Sequence, residues 1–141
     1  MGMTIEFRTK VNVSERDISD ILCTAFYDSI DYWCPKLEVE AVEKTDVEDL
    51  ESKEDVCAEH LVNGGTLIFY EDEDETGENL IPHRVKLEDF LRGLVQWLED
   101  YAVAPPVDGI TGNLYLDTGM IDSNDADSIV QLAVFGKLVY G

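Results

Sequence analysis

Apolar and polar residues alternate along two stretches in the first third of the chain, which is the pattern of a half-buried strand. Between Thr4 and Val13 the odd-numbered positions carry Ile, Phe, Thr, Val and Val, while the even-numbered ones carry Glu, Arg, Lys and Asn. The same alternation returns between Lys36 and Glu43. We therefore predict one strand over each stretch, with one face turned toward a core.

Four other stretches carry apolar residues at the i, i+3, i+4 spacing of an amphipathic helix. Their limits are marked by capping residues in front and by glycine or proline behind. The predicted helices are one capped by Ser14 and ending near Ile30, one capped by Ser52 and ending at Gly64-Gly65, one from Leu87 to Tyr101, and one capped by Asp122 or Ser123 and ending at Gly136.

Three short apolar runs complete the predicted elements. Thr66 to Tyr70 is a strand, Leu80 to Val85 is an edge strand because it contains Pro82, and Lys137 to Tyr140 is a closing strand. This order of elements predicts a single α+β domain over residues 1–141, in which about four helices pack on one side of a mainly antiparallel sheet. Residues 1–2, which precede Met3, are interpreted as a cloning remnant.

The charge of the chain is strongly negative, with 31 acids against 10 bases and a formal net charge of -21. Such a field repels phosphate backbones and anionic membranes, so direct binding to nucleic acid or lipid is not expected. It attracts basic surfaces, including the grooves in which other proteins hold nucleic acid. Acidic proteomes of salt-loving organisms share this composition, which leaves that explanation open. No signal peptide or membrane span is found, so we expect a cytoplasmic protein.

The acids concentrate in two regions. Glu38 to Glu59 holds ten acids and two bases, and Glu71 to Glu78 holds six acids and no base. An extended chain would space the second run by about 3.3 Å per residue, close to the roughly 3.4 Å between phosphates along one DNA strand. Both a solvated acidic hairpin and a surface that competes for a partner's basic groove fit this run. The residues that would contact the partner are Glu71, Asp72, Glu73, Asp74 and Glu75.

Tyr32 and Trp33 follow the first predicted helix and lie between Asp31 and Cys34. One interpretation is that they pack the end of the helix against the sheet. The other is that they form an aromatic anchor at an interface, where Trp and Tyr are enriched. The second interpretation adds Tyr32 and Trp33 to the candidate partner-binding residues.

No catalytic or metal-binding signature is present, and we predict neither an enzyme nor a cofactor. The two histidines, His60 and His83, stand apart from any readable nucleophile, and the cysteines lack the spacing of a zinc site. Asp72, Asp74 and Thr76 match the first ligand positions of an EF-hand loop. However, His83 stands where that loop requires a bidentate glutamate, so no calcium site is predicted.

Several segments resemble small acidic proteins of phages and mobile elements in gut bacteria. The resemblance lies in the carboxyl-terminal segments from Asp117 to Gly119, from Asp125 to Gln131 and from Phe135 to Gly141, and in the segments Tyr32 to Cys34 and Gly64 to Leu67. In length, acidity and setting these proteins are similar to anti-CRISPR proteins, notably inhibitors of type II nucleases. The resemblance implies an inhibitor that binds an RNA-guided nuclease, and it transfers no functional residue by position.

Two hypotheses from different classes follow. The first is a non-catalytic acidic inhibitor that binds the basic nucleic-acid channel of a bacterial RNA-guided nuclease or of another DNA-binding protein. The alternative is a phage or mobile-element protein that binds and sequesters a small molecule or nucleotide signal in a pocket at a homodimer interface. The alternative requires the few bases, such as Arg84, Lys86 and Arg92, to gather around an anionic ligand.

Overall fold

The structure is a computed structural model that describes residues 2–7, 9–40, 53–101 and 105–141. The elements are β1 (Gly2–Phe7), β2 (Thr9–Ser14), α1 (Glu15–Asp28), β3 (Lys36–Glu40), α2 (Lys53–Val62), β4 (Thr66–Glu71), β5 (Ile81–Val85), α3 (Leu87–Asp100), β6 (Leu114–Tyr115) and α4 (Ser123–Phe135), with a 3₁₀ turn at Thr118–Met120.

The strands form two three-stranded sheets. In the first, β1 pairs antiparallel with β2, and β6 lies parallel to β2 on its other side. In the second, β4 lies between β3 and β5, and both pairings are antiparallel. Strand β5 is an edge strand, as Pro82 predicts, because a proline in a central strand would leave one ladder hydrogen bond unmade.

The described helix boundaries lie within two residues of the predicted ones, apart from the start of α2, which adjoins residues outside the described ranges. Ser14 and Asp17 form a reciprocal capping box at the start of α1, and Asp122 and Asp125 form another at the start of α4. Helix α4 ends at Gly136, whose φ of 74° lies in the left-handed region that glycine adopts without strain. The predicted cap Ser52 lies outside the described residues.

Helices α3 and α4 pack along each other, while α1 packs against α2 and α4. The two helices approach each other closely at Gly93, where an added Cβ would lie 2.6 Å from the backbone nitrogen of Ala133. A side chain at this position would push the two helices apart. The buried faces of all four helices and of both sheets join in one core that contains Trp33, Phe69 and Phe90.

The α+β class with four helices is confirmed, but the arrangement of strands differs from the prediction. The stretch from Thr4 to Val13 belongs to two strands paired as a hairpin, not to a single strand. The strands also divide between two sheets instead of one. The alternation itself holds, since Ile5, Val11 and Val13 are buried. A two-residue period shows which side chains share one face of a strand, but it does not show where the chain reverses direction.

The predicted closing strand from Lys137 to Tyr140 is wrong, since this segment pairs with no strand in the described structure. Its backbone instead bonds to a side chain. The N–H groups of Val139 and Tyr140 both donate to Oε1 of Gln131, at 2.8 Å each. The predicted end of β3, residues 41–43, lies outside the described residues.

Candidate functional site

The acidic turn, which we define as Asp72–Glu78, connects β4 to β5 and is held by its own hydrogen bonds. Gly77 N–H donates to the Asp72 carboxylate, at 3.0 and 3.1 Å to its two oxygens. Thr76 donates to Asp74 Oδ1 from its hydroxyl at 2.7 Å and from its backbone at 3.2 Å. These bonds, together with one from Asn79, lower the pKa of Asp74. The run is therefore a compact turn and not an extended segment with phosphate-like spacing.

The charge of the acidic turn is uncompensated in the described structure. Glu73, Glu75 and Glu78 are exposed. The ion pairs found among the described residues all use carboxylates outside the turn: Arg16–Asp20, Lys36–Glu38, Arg84–Glu40 and Arg92–Asp89. The contact of His83 with Glu71 also lies outside it. The turn therefore presents several negative side chains to solvent from a backbone that its own bonds hold in place.

Glu71 differs from the other predicted contact residues because it lies beneath the turn. It is 7% exposed at the end of β4, and its carboxylate accepts a hydrogen bond from the Tyr140 hydroxyl. The other carboxylate oxygen lies 2.9 Å from Nε2 of His83. Two effects raise the pKa of Tyr140: burial is the larger, and the hydrogen bond that its hydroxyl donates to Glu71 is the second. Glu71 therefore supports the turn from within, and a partner at the surface would not reach it.

Trp33 is also internal, with 0% exposure. Its ring stacks on Tyr140, with 5.8 Å between centroids and 6° between planes, and its Nε1 donates to Asp127 at 2.8 Å. Trp33 is therefore internal, as the first interpretation of this pair expected, but these contacts are with α4 and the carboxyl-terminal segment, where that interpretation expected the sheet. Its carbonyl accepts the N–H of Asp72 at 2.8 Å, so the backbone of Trp33 is bonded to the first residue of the acidic turn.

Tyr32, in contrast, keeps 51% of its surface exposed. Its hydroxyl donates to Asp127 Oδ2 at 2.6 Å. Burial of the hydroxyl and this hydrogen bond raise the pKa of Tyr32 to about 12. The phenol therefore stays neutral over the physiological range, and its exposed ring is an amphipathic surface of the kind that interfaces use as an anchor.

Sequence reasoning missed the residues that join these parts. Gln131 is 1% exposed and binds the carboxyl-terminal segment, while its Nε2 donates to Asp127 at 2.9 Å. One signal was present, since Gln131 is a lone polar residue between Ile129-Val130 and Leu132-Ala133 in the apolar run of α4. No feature of the sequence pointed to the contacts that His83 and Tyr140 make with Glu71.

Two of the three bases named for the alternative hypothesis, Arg84 and Arg92, are engaged separately. Arg84 pairs with Glu40 at 3.2 Å, and Arg92 pairs with Asp89 at 3.1 Å. Arg92 also donates to the Ala133 carbonyl at 3.2 Å. Because each arginine already has its own carboxylate, this arrangement does not favour a nucleotide phosphate.

The two histidines have different surroundings. His60 Nε2 lies 3.2 Å from the Glu40 carbonyl, whereas His83 contacts Glu71 and packs edge-on against Phe135. In the described ranges, no group of three or more His, Cys, Asp or Glu side chains is placed to hold a metal ion. The Glu71 carboxylate contacts His83 through one oxygen and accepts the Tyr140 hydroxyl with the other.

Among the residues that the structure describes, no helix combines the length and the apolar character needed to cross a bilayer. Comparison of the chain with family models, with curated proteins and with solved structures gave no match.

Proposed function

We propose that this protein is a non-catalytic inhibitor of the anti-CRISPR kind. In this proposal the acidic turn and Tyr32 enter the basic nucleic-acid channel of a bacterial RNA-guided nuclease or of another DNA-binding protein. The observation that carries the proposal is the set of exposed carboxylates on a turn stabilised by its own hydrogen bonds. The first residue of the turn, Asp72, donates its N–H to the carbonyl of Trp33, the sequence neighbour of the half-exposed Tyr32.

The construction of the turn supports this function energetically. The bonds from Gly77 to Asp72 and from Thr76 to Asp74 hold the backbone before any partner arrives. A partner therefore does not bear the entropic cost of ordering the turn. The net charge of -21 would accelerate encounter with a cationic channel, and Tyr32 would contribute contact area that slows dissociation.

The structure narrows the residues expected to touch the partner. Tyr32, Glu73, Asp74, Glu75 and Glu78 are available at the surface. Glu71 and Trp33 act instead as internal supports of the same surface. Substitution of Glu71 or Trp33 would therefore weaken binding only indirectly, by changing the conformation of the acidic turn.

The test is a binding measurement with a purified type II RNA-guided nuclease at about 50 and 300 mM salt, concentrations between which screening changes strongly. The test variant is the triple substitution Glu73→Gln, Glu75→Gln and Glu78→Gln. At about 0.2–1 kcal/mol for each exposed charge contact, it should lose roughly tenfold in affinity at low salt and show a shallower salt dependence.

The matched control removes the same number of charges from the exposed surface of α3, by Glu88→Gln, Glu99→Gln and Asp100→Asn. If the turn is the contact, this control changes affinity much less than the turn variant. Equal effects of the two variants would show that only overall charge matters. An unchanged affinity and salt slope in the turn variant would exclude the acidic turn as the contact.

A further inference from the structure

A second site lies away from the acidic turn, where the end of α3 meets the start of α4. It is a cavity of about 500 Å³ lined by the aromatic residues Trp97 and Tyr101, by apolar groups that include Leu98, Leu116 and Met120, and by the carboxylates of Asp117 and Asp125. Its volume lies within the roughly 300–1,000 Å³ typical of small-molecule sites. It shares no lining residue with the proposed docking surface.

The polar groups of the cavity are acidic. Asp117 and Asp125 contribute carboxylates, and no lysine, arginine or histidine is among the described lining residues. Burial raises the pKa of Asp125, against the opposing hydrogen bond that it accepts from the backbone of Asp122. A carboxylate shielded from water attracts a nearby cation more strongly than an exposed one does. The charge of the site therefore selects a positive ligand and opposes a phosphate or a carboxylate.

The aromatic groups suit the same ligand. Trp97 and Tyr101 lie with 6.4 Å between their ring centroids and 41° between their planes. An ammonium group near the face of a tryptophan or tyrosine is attracted by the ring quadrupole. The exposed Met120 has a flexible side chain that adapts to irregular apolar shapes.

Trp97 supplies an independent indication that the site is incomplete. The residue is 4% exposed, and its Nε1 makes no hydrogen bond within the described part of the chain. An interaction of the indole with Asp125 is the smallest of the effects on that carboxyl group and lowers its pKa, against the larger effect of burial. Buried indole N–H groups normally have a partner. Among the described residues, one polar group of this cavity is therefore left without a hydrogen bond.

We propose that this cavity binds a small organic cation with a flat apolar body, of the arylalkylamine class. The apolar body would lie between Trp97 and Met120, and the ammonium group would face Asp117 and Asp125. This inference is independent of the proposed inhibitor function.

The test uses three probes of similar size and different charge, measured by calorimetry and by the NMR signals of the two indole N–H groups. The probes are 2-phenylethylamine, 2-phenylethanol and 3-phenylpropionate. The amine should bind roughly tenfold more tightly than the alcohol, and the carboxylate should bind most weakly. The indole signal of Trp97 should shift on binding, while that of Trp33, whose N–H is bonded to Asp127, should stay in place.

Two variants of equal charge change separate the cavity from the overall field. Asp117→Asn with Asp125→Asn keeps the oxygen acceptors for Gly119 and Asp122 but removes both charges, and should abolish the preference for the amine. Glu73→Gln with Glu75→Gln should leave the preference intact. The proposal is overturned if no probe binds, if the preference is below about threefold, if both variants reduce it equally, or if the Trp33 signal shifts as much as that of Trp97.

Discussion

The side chain of Gln131 makes the hydrogen bonds to the carboxyl-terminal segment that a neighbouring strand was predicted to make. Replacing Gln131 therefore tests whether its amide holds this segment in place. Its Oε1 accepts the N–H groups of Val139 and Tyr140, and its Nε2 donates to the Tyr140 carbonyl at 3.2 Å and to Asp127 at 2.9 Å. The substitution Gln131→Met keeps the length and approximate volume of the side chain while it removes all of these bonds.

The expected loss follows from those contacts. A typical hydrogen bond contributes about 0.5–1.5 kcal/mol net, and the cost is larger when a buried partner is left unsatisfied. Val139 is 45% exposed and can rebind water in part, whereas Tyr140 is less exposed and has its ring stacked on Trp33. We therefore expect Gln131→Met to lower the free energy of unfolding by about 2–4 kcal/mol.

Urea unfolding followed by tryptophan fluorescence measures this loss. The matched control is Gln96→Met, because the amide of Gln96 makes one exposed bond, to the Gly136 carbonyl at 3.1 Å. That variant should lose less than about 1 kcal/mol. Hydrogen exchange should also quicken at Val139 and Tyr140 in the Gln131 variant alone. Equal losses of stability in the two variants would mean that the Gln131 amide does not hold the carboxyl-terminal segment in place.

Two further predictions concern packing and pH. Gly93→Ala places a methyl group against the backbone of Ala133 and should lower the free energy of unfolding in urea by about 1–3 kcal/mol. The control Gly109→Ala, whose methyl group would point into open space, should lower it by less than about 0.5 kcal/mol. Equal losses in the two variants would contradict the close contact of α3 and α4. The pKa of Tyr32 is raised to about 12 from 10, so its contribution to stability is complete below about pH 10 and is lost as pH rises toward 12. Tyr32→Phe should therefore flatten the decline of the urea midpoint in that range, and an unchanged decline would show that another group causes it.

The elements with local signals were predictable from the sequence. The capping box of Ser14 and Asp17 and the box of Asp122 and Asp125 join residues three positions apart, so the sequence contains both partners of each contact. The stop at Gly136 needs only a residue that tolerates a positive φ. The strand pairing was not predictable in this way, because the alternation from Thr4 to Val13 fits a single strand as well as a hairpin.

The sequence by itself determined the α+β class, the helix ends and the strong negative charge, because each depends on neighbouring residues or on composition alone. Only the tertiary structure decided which acids and aromatics reach solvent. Glu71 is buried because Tyr140, 69 positions away, bonds to its carboxylate, and Trp33 is buried against Asp127, 94 positions away. Glu73 and Tyr32, their close neighbours in sequence, remain exposed. Contacts at such separations depend on how the whole chain packs, and no local pattern specifies them.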